Sequence, residues 1–226
     1  MKLQSALLSL LFPLLLATAV QAKPSGEPPF QSELFKSGTL VYSDDFDGKL
    51  NREYWGPKGT KIEDGKLVIR PQFTNREEAM KKLKRDHHLG LEPVGHLNKI
   101  PEKFVCHLRF KFEKKELTPG RPSFQIGHHM IILGYLPGGG HRVKLPDGPT
   151  FMEPKSGMKL NEWVDLVLEY ELGTIRVSVN GYSKTYKHEK ATIINPKDKH
   201  GPRFSFKGGD GSRIVFDSVR LWECKE

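Results

Sequence analysis

The chain is 226 residues long, with 36 basic and 27 acidic side chains, nine histidines and a formal charge of +9. Two cysteines are too few for a disulfide-stapled scaffold and show no C-x-x-C metal spacing, so an ordinary hydrophobic core must hold the fold. The basic balance suits acidic glycans, cell-wall polymers or plain solubilising charge, and for a chain with an export signal nucleic acid is the weakest of the partners it could attract.

That signal is read at the start of the chain. Lys2 supplies a positive charge, residues 7–19 form an apolar run interrupted by Ser9, Pro13 and Thr18, and Val20-Gln21-Ala22 is a small-residue cleavage site. The run is too short to span a bilayer, and no second stretch approaches membrane length. The expected organisation is a signal peptide over residues 1–22, a leader over 23–38 and a single domain over 39–226. The mature protein is expected to be secreted or periplasmic, without membrane insertion.

Strands dominate from there. Residues 39–46 form a first alternating run, followed by Asp47-Gly48 and Trp55. Asp64-Gly65 turns a hairpin over 61–69, because both central residues of such a turn need positive φ. Thr74 and Glu77 have capping-box spacing, and residues 74–85 run from acidic to basic, which predicts one short surface helix. Residues 104–112 alternate strictly, with Phe104, Cys106, Leu108, Phe110 and Phe112 on one face and His107, Arg109 and Lys111 on the other. A strand over about 123–135 reaches Leu136-Pro137-Gly138-Gly139-Gly140, which turns the chain back through 141–145. Residues 163–170, 174–179 and 183–188 read as a meander around Asn180-Gly181, and 202–206 and 212–222 close the chain. The pattern predicts an all-β fold, a two-sheet antiparallel jelly-roll sandwich with one helix.

The order Asp44-Asp45-Phe46-Asp47-Gly48, Trp55, Glu63-Asp64-Gly65-Lys66-Leu67, Trp163, Asn180-Gly181 and Phe216-Asp217-Ser218-Val219-Arg220-Leu221 resembles the concanavalin A-like lectin and glucanase superfamily. Within it the chain is most similar to exported bacterial domains of the 3-keto-disaccharide hydrolase type. The resemblance implies a carbohydrate partner on a concave sheet face. It also implies a structural calcium, the one possible cofactor, held by Asp45 and Asp217. The laminarinase-like members carry a Glu-x-Asp-x-(x)-Glu strand, because retaining hydrolysis needs two carboxyls about 5 Å apart on one face. The nearest run here, Glu162 to Glu169, lacks that spacing. The Asn-Ser-Gly-Ile-x-Phe-Arg-like strand of many keto-disaccharide hydrolase domains is also missing from the sequence.

Histidine is the remaining chemical signal. His87, His128 and His141 are candidate acid/base groups or metal ligands, and strand alternation should let only one of each adjacent pair serve a site. Tyr135, His129 and Arg142 are candidate glycan contacts. Cys106 and Cys224 could bridge if their runs are neighbours, or remain buried thiols. The leading expectation is a secreted carbohydrate-recognition protein of open oligomeric state. The alternatives are a glycan-active lyase or hydrolase, and a structural module of the cell envelope.

Overall fold

The computed structural model describes residues 29–56, 59–84 and 90–225. The expected signal peptide and the candidate His87 lie outside them. Among the described residues the strands are β1 (Ser37–Asp44), β2 (Trp55–Gly56), β3 (Thr60–Glu63), β4 (Lys66–Ile69), β5 (Val94–Leu97), β6 (Phe104–Glu113), β7 (Ser123–Ile126), β8 (Ile131–Tyr135), β9 (His141–Lys144), β10 (Thr150–Glu153), β11 (Val164–Glu171), β12 (Thr174–Val179), β13 (Tyr182–Lys187), β14 (Phe204–Lys207) and β15 (Arg213–Lys225). They form two sheets. Sheet I runs β13-β12-β11-β6-β15-β4-β3, with β1 also paired to β15, and sheet II runs β10-β9-β8-β7-β14-β5-β2. All pairings are antiparallel, as the jelly-roll expectation requires.

Alternation decides what lies between the sheets. Phe104, Phe110 and Phe112 of β6, Phe216 of β15, Phe124 of β7, and Phe204 and Phe206 of β14 all point inward and are fully buried. Phe124 stacks on Phe206 with ring centroids 4.6 Å apart, and Phe206 meets Phe216 edge-on at the same separation. Each such ring contributes roughly 1.5–3 kcal/mol by leaving water. Gly95 of β5 lets the layers close over Ile69, whose Cδ1 lies only 2.1 Å from where a Cβ would stand. At one edge, Tyr182 and Tyr186 of β13 donate hydrogen bonds of 2.6 and 3.1 Å to Glu153 of β10, tying sheet I to sheet II.

Part of the outer face of sheet I is covered. Residues 29–36, assigned to the leader by sequence, pack Phe30, Leu34 and Phe35 around Val105, Trp222 and Cys224. Glu169, 1 % exposed, accepts hydrogen bonds from the Ser32 hydroxyl and, at 2.9 Å, from the Glu33 and Leu34 amides, while Arg176 holds its other oxygen at 2.7 Å.

Several expectations need correction. The helix α1 spans Arg76–Leu83, and its cap is Asn75, whose side chain accepts from the Glu78 amide at 2.9 Å. Thr74 instead donates to the Glu78 carboxylate, so the box is displaced by one residue. The single strand expected over 123–135 breaks into β7 and β8. Gly127 at φ +72 lies against the Ile193 carbonyl, where a Cβ would come within 2.2 Å, and His129 is also left-handed at φ 62. Cys106 and Cys224 are free. Cys106 stands opposite Leu221 and faces the main core, whereas Cys224 faces the outer cluster, so the sheet itself separates the sulfurs. Burial pushes the Cys224 thiol up to about 11 and the Cys106 thiol well above its ordinary value, which makes both poor nucleophiles.

Candidate functional site: the outer face of the second sheet

With Leu97, Phe204, Phe206, Phe124 and Ile126 turned inward, alternation turns His96, Ser205, Lys207, Ser123 and Gln125 outward. The register orders them. Ser205 stands between His96 and Gln125, and Lys207 stands between Val94 and Ser123. Beyond them β8 and β9 continue the second row with Gly134 opposite Ser123 and Arg142 opposite Gly134. The Arg142 side chain lies across Gly134, its Nε 3.0 Å from where a Cβ would be, so glycine opens the path for the guanidinium.

An outward sheet face is ordinarily wet, yet Ser123, Gln125, Ser205 and Lys207 are buried, at 3, 4, 0 and 6 % exposure. Loops wall the face. On one side the 127–130 turn is pinned to the 193–203 segment by Gly127 N to Arg203 O at 2.9 Å and Asn195 Nδ2 to His128 O at 2.7 Å. On the other, Arg121 clasps Glu92 through Nε at 2.8 Å and Nη2 at 3.2 Å, and Gly208 N donates to Pro93 O. An open depression of about 580 Å³, lined by His96, Asn98, Lys99 and Arg203, lies at one end of β5 and β14. Another of about 530 Å³, lined by Glu92, Lys114, Thr118 and Arg121, lies at the other.

The electrostatics are cationic. No strand position on this face is acidic among the described residues. His96 bonds Ser205 Oγ through Nδ1 at 3.0 Å, and its pKa is pushed down to about 4, by burial first and then by the charges of Arg203 and Lys207, so the ring is neutral at pH 7. The Lys207 ammonium is lowered by burial and by Arg121 and Arg203, with Glu92 opposing. Asp198 pairs with Arg203 at 3.1 Å and His128 at 3.2 Å. Gln125 Oε1 and Ser123 Oγ are buried without a hydrogen-bond partner among the described residues.

The candidates read from sequence divide. Arg142 lies on this face, and His128 and His129 sit on its wall. Because they occupy a turn rather than a strand, both rings lie on one side, with centroids 4.1 Å apart, contrary to the alternation argument. Tyr135 and His141 are opposite one another inside the sandwich, Tyr135 with its ring edge on Phe112 and His141 fully buried. His141 bonds Ser156 Oγ at 2.7 Å, and burial lowers its pKa to about 4. It stands at the far end of β8 from His128, roughly 15 Å away at ~3.3 Å per residue, so the imidazoles do not converge. No group of three or more His, Cys, Asp or Glu able to hold a metal occurs among the described residues.

Asp45 and Asp217, the residues expected to hold a calcium, are each paired with cations. Asp45 receives both oxygens' worth of bonding from Arg220 Nη2, at 2.8 and 2.7 Å, and Asp217 faces Lys66 at 2.6 Å and Arg109 at 3.4 Å. Calcium would have to displace those cations to reach several oxygens at once. Sequence reasoning missed His96, Ser123, Gln125, Arg203, Ser205 and Lys207. The available signal was Phe204-Ser205-Phe206-Lys207 and Ser123-Phe124-Gln125-Ile126, in which polar residues alternate with fully buried apolar ones.

Solved structures share this architecture at low identity. An endo-acting O-glycanase of the human gut microbiota superposes with a TM-score of 0.55 at 12% identity, over 83% of this chain and 100% of that one. A non-specific endo-β-1,3(4)-glucanase of glycoside hydrolase family 16 gives 0.54 at 11% identity, over 84% and 92%. A family 16 protein from Mycobacterium smegmatis gives 0.53 at 14% identity, over 81% and 100%. The fold is the concanavalin A-like sandwich. No protein-family model and no curated protein matches the chain. The narrower likeness to the 3-keto-disaccharide hydrolase domain is therefore not shown. On this concanavalin A-like sandwich, sheet II carries no carboxylate pair on its outer strand positions, and the Glu162 to Glu169 run lies at the other sheet, where Glu169 anchors residues 32–34.

Proposed function

We propose that the protein is an exported glycan-binding protein that lays a saccharide across the outer face of sheet II. The observation that carries this reading is the pair Gln125 Oε1 and Ser123 Oγ, buried without a hydrogen-bond partner among the described residues, on the outer side of a sheet where depressions open at both ends of β5 and β14. Each such atom costs about 1–3 kcal/mol to leave unsatisfied, and a sugar hydroxyl laid on the floor removes that cost. The fold supports the reading, since its solved neighbours include an O-glycanase and a glucanase by description. Export rests on the signal read in residues 1–22.

The test is affinity electrophoresis through gels carrying a polysaccharide panel, with Gln125→Ala and His96→Ala beside the wild type. Retardation of the wild type that falls at least tenfold in both variants, at unchanged Tm, is the expected result. Well-folded variants that bind like the wild type overturn it.

His96 favours a second reading, a glycan-active lyase or hydrolase. A neutral imidazole fixed by Ser205 at the mouth of a depression can take a proton as a general base. His141, fully buried, cannot touch substrate. Release of new reducing ends from a bound polymer, abolished in His96→Gln with binding retained, would establish the enzyme. Binding without turnover leaves the protein a lectin.

A further inference from the structure

The outward strand positions of sheet II carry Lys207, Arg142, Lys144 and His96 and, among the described residues, no acid. The acids that border the face are already clasped, Glu92 by Arg121 and Asp198 by Arg203 and His128. Lys207 is the unusual member. Ammonium groups are almost never fully buried without a counter-charge, yet Lys207 is 6 % exposed and no ion pair involves it among the described residues. Its row continues through Ser123 and Gly134 to Arg142, whose guanidinium crosses the glycine.

Hydroxyl groups alone do not account for such a row. A neutral sugar would satisfy Ser123 and Gln125 but leave the buried Lys207 ammonium facing the charges of Arg121 and Arg203, with only the clasped Glu92 opposing them. An oxyanion seated there would receive charge-assisted hydrogen bonds, about twice as strong as neutral ones, from Lys207 and Arg142. Ser123 Oγ can donate a further bond. The Gln125 amide can present either its oxygen or its nitrogen, since a half-turn about its last torsion exchanges them.

We infer that the face selects a saccharide bearing an oxyanion, a uronate carboxylate or a sulfate ester, and seats that group over Lys207, Ser123 and Arg142. The inference rests on the glycan-binding reading above and adds the class of sugar. Both anions share the chemistry the row recognises, and the experiment separates them.

The measurement is retardation in native gels containing polygalacturonate, alginate or hyaluronan as uronate chains, dextran sulfate as the sulfated chain, and dextran, laminarin or xylan as neutral chains. Wild type is compared with Lys207→Met, with Lys207→Arg, with Arg142→Met and with Lys184→Ala, an exposed cation of β13 in sheet I that serves as a control. Arg142→Met covers the case in which Lys207→Met fails to fold, and Tm is recorded for each. The expected result is retention on acidic chains only, at least tenfold weaker in Lys207→Met and Arg142→Met, partly restored in Lys207→Arg and unchanged in Lys184→Ala. Retention on the carboxylate chains alone, with the same variant pattern, assigns the seat to uronate, and on dextran sulfate alone to sulfate. Equal retention on neutral chains, indifferent to Lys207 and Arg142, overturns the inference and leaves the glycan reading standing. Acidic retention that falls as much in Lys184→Ala as in Lys207→Met also overturns it, because diffuse charge then suffices. Retention on none of the chains overturns both.

Discussion

Two histidines with the same depressed pKa have opposite meanings. His96 and His141 are each pushed down to about 4 by burial, but His96 borders an open depression and His141 lies between the sheets against Ser156. For His141 the consequence is a dependence of stability on pH. Its folded pKa lies below the ordinary histidine value of about 6.5, so the unfolded chain binds the proton more readily, and stability falls as pH drops from about 6.5 towards 4. The loss approaches roughly 3 kcal/mol at the bottom of that window, at 1.36 kcal/mol per pKa unit. Urea midpoints measured from pH 7 to pH 4 should fall in the wild type and fall less steeply in His141→Gln, whatever the variant's stability at pH 7. Sequence showed the histidines but not their surroundings. Nothing in Gly140-His141-Arg142 distinguishes the inward residue from the outward one until the register of β8 and β9 is known.

At the scale of elements, long alternating runs were legible and short ones were not. The 104–112 run, the meander around Asn180-Gly181 and the closing strand stand where periodicity put them, because their inward residues are apolar and the Asn180-Gly181 turn takes positive φ. β2, β5 and β10 have at most four residues each, too short to show a period, and β5 carries His96, the residue most central to the candidate site. The break between β7 and β8 was hidden because Gly127 meets a carbonyl of the distant 193–203 segment, a contact no local pattern reports. The segment 29–36 was read as a leader from its composition, yet it is anchored by one carboxylate. Glu169→Ala should strand the Ser32 hydroxyl, two amides and the Arg176 guanidinium, at a cost of about 3–5 kcal/mol for breaking a buried pair. Hydrogen exchange should then quicken first at Leu34 and Phe35. Protection unchanged there would show that the aromatic contacts of Phe30 and Phe35 suffice to hold the strap.

For the whole molecule, the aromatic layer does the work that disulfides do in small domains with little core. Phe206 touches Trp55, Phe110, Phe124 and Phe216, joining both sheets. Phe206→Ala should cost about 3–5 kcal/mol and lower Tm accordingly, whereas reducing agent should leave Tm unchanged, since the sheet separates the cysteines. The candidate site is placed on sheet II because its outer strand positions carry buried polar groups and a depression opens at each end of β5 and β14. Its walls are built from loops that sequence periodicity does not see.

β15 is the seam of sheet I, holding β6 along one edge and both β4 and β1 along the other. Two of the early strands therefore hydrogen-bond to one made more than a hundred residues later. At about 5–20 residues per second, β1 and β4 leave the ribosome on the order of ten seconds before their partner exists. Sheet I thus stays open until β15 has emerged, and its waiting strands are exposed to chaperones for that interval. A chain ending before Arg213 would never close at all.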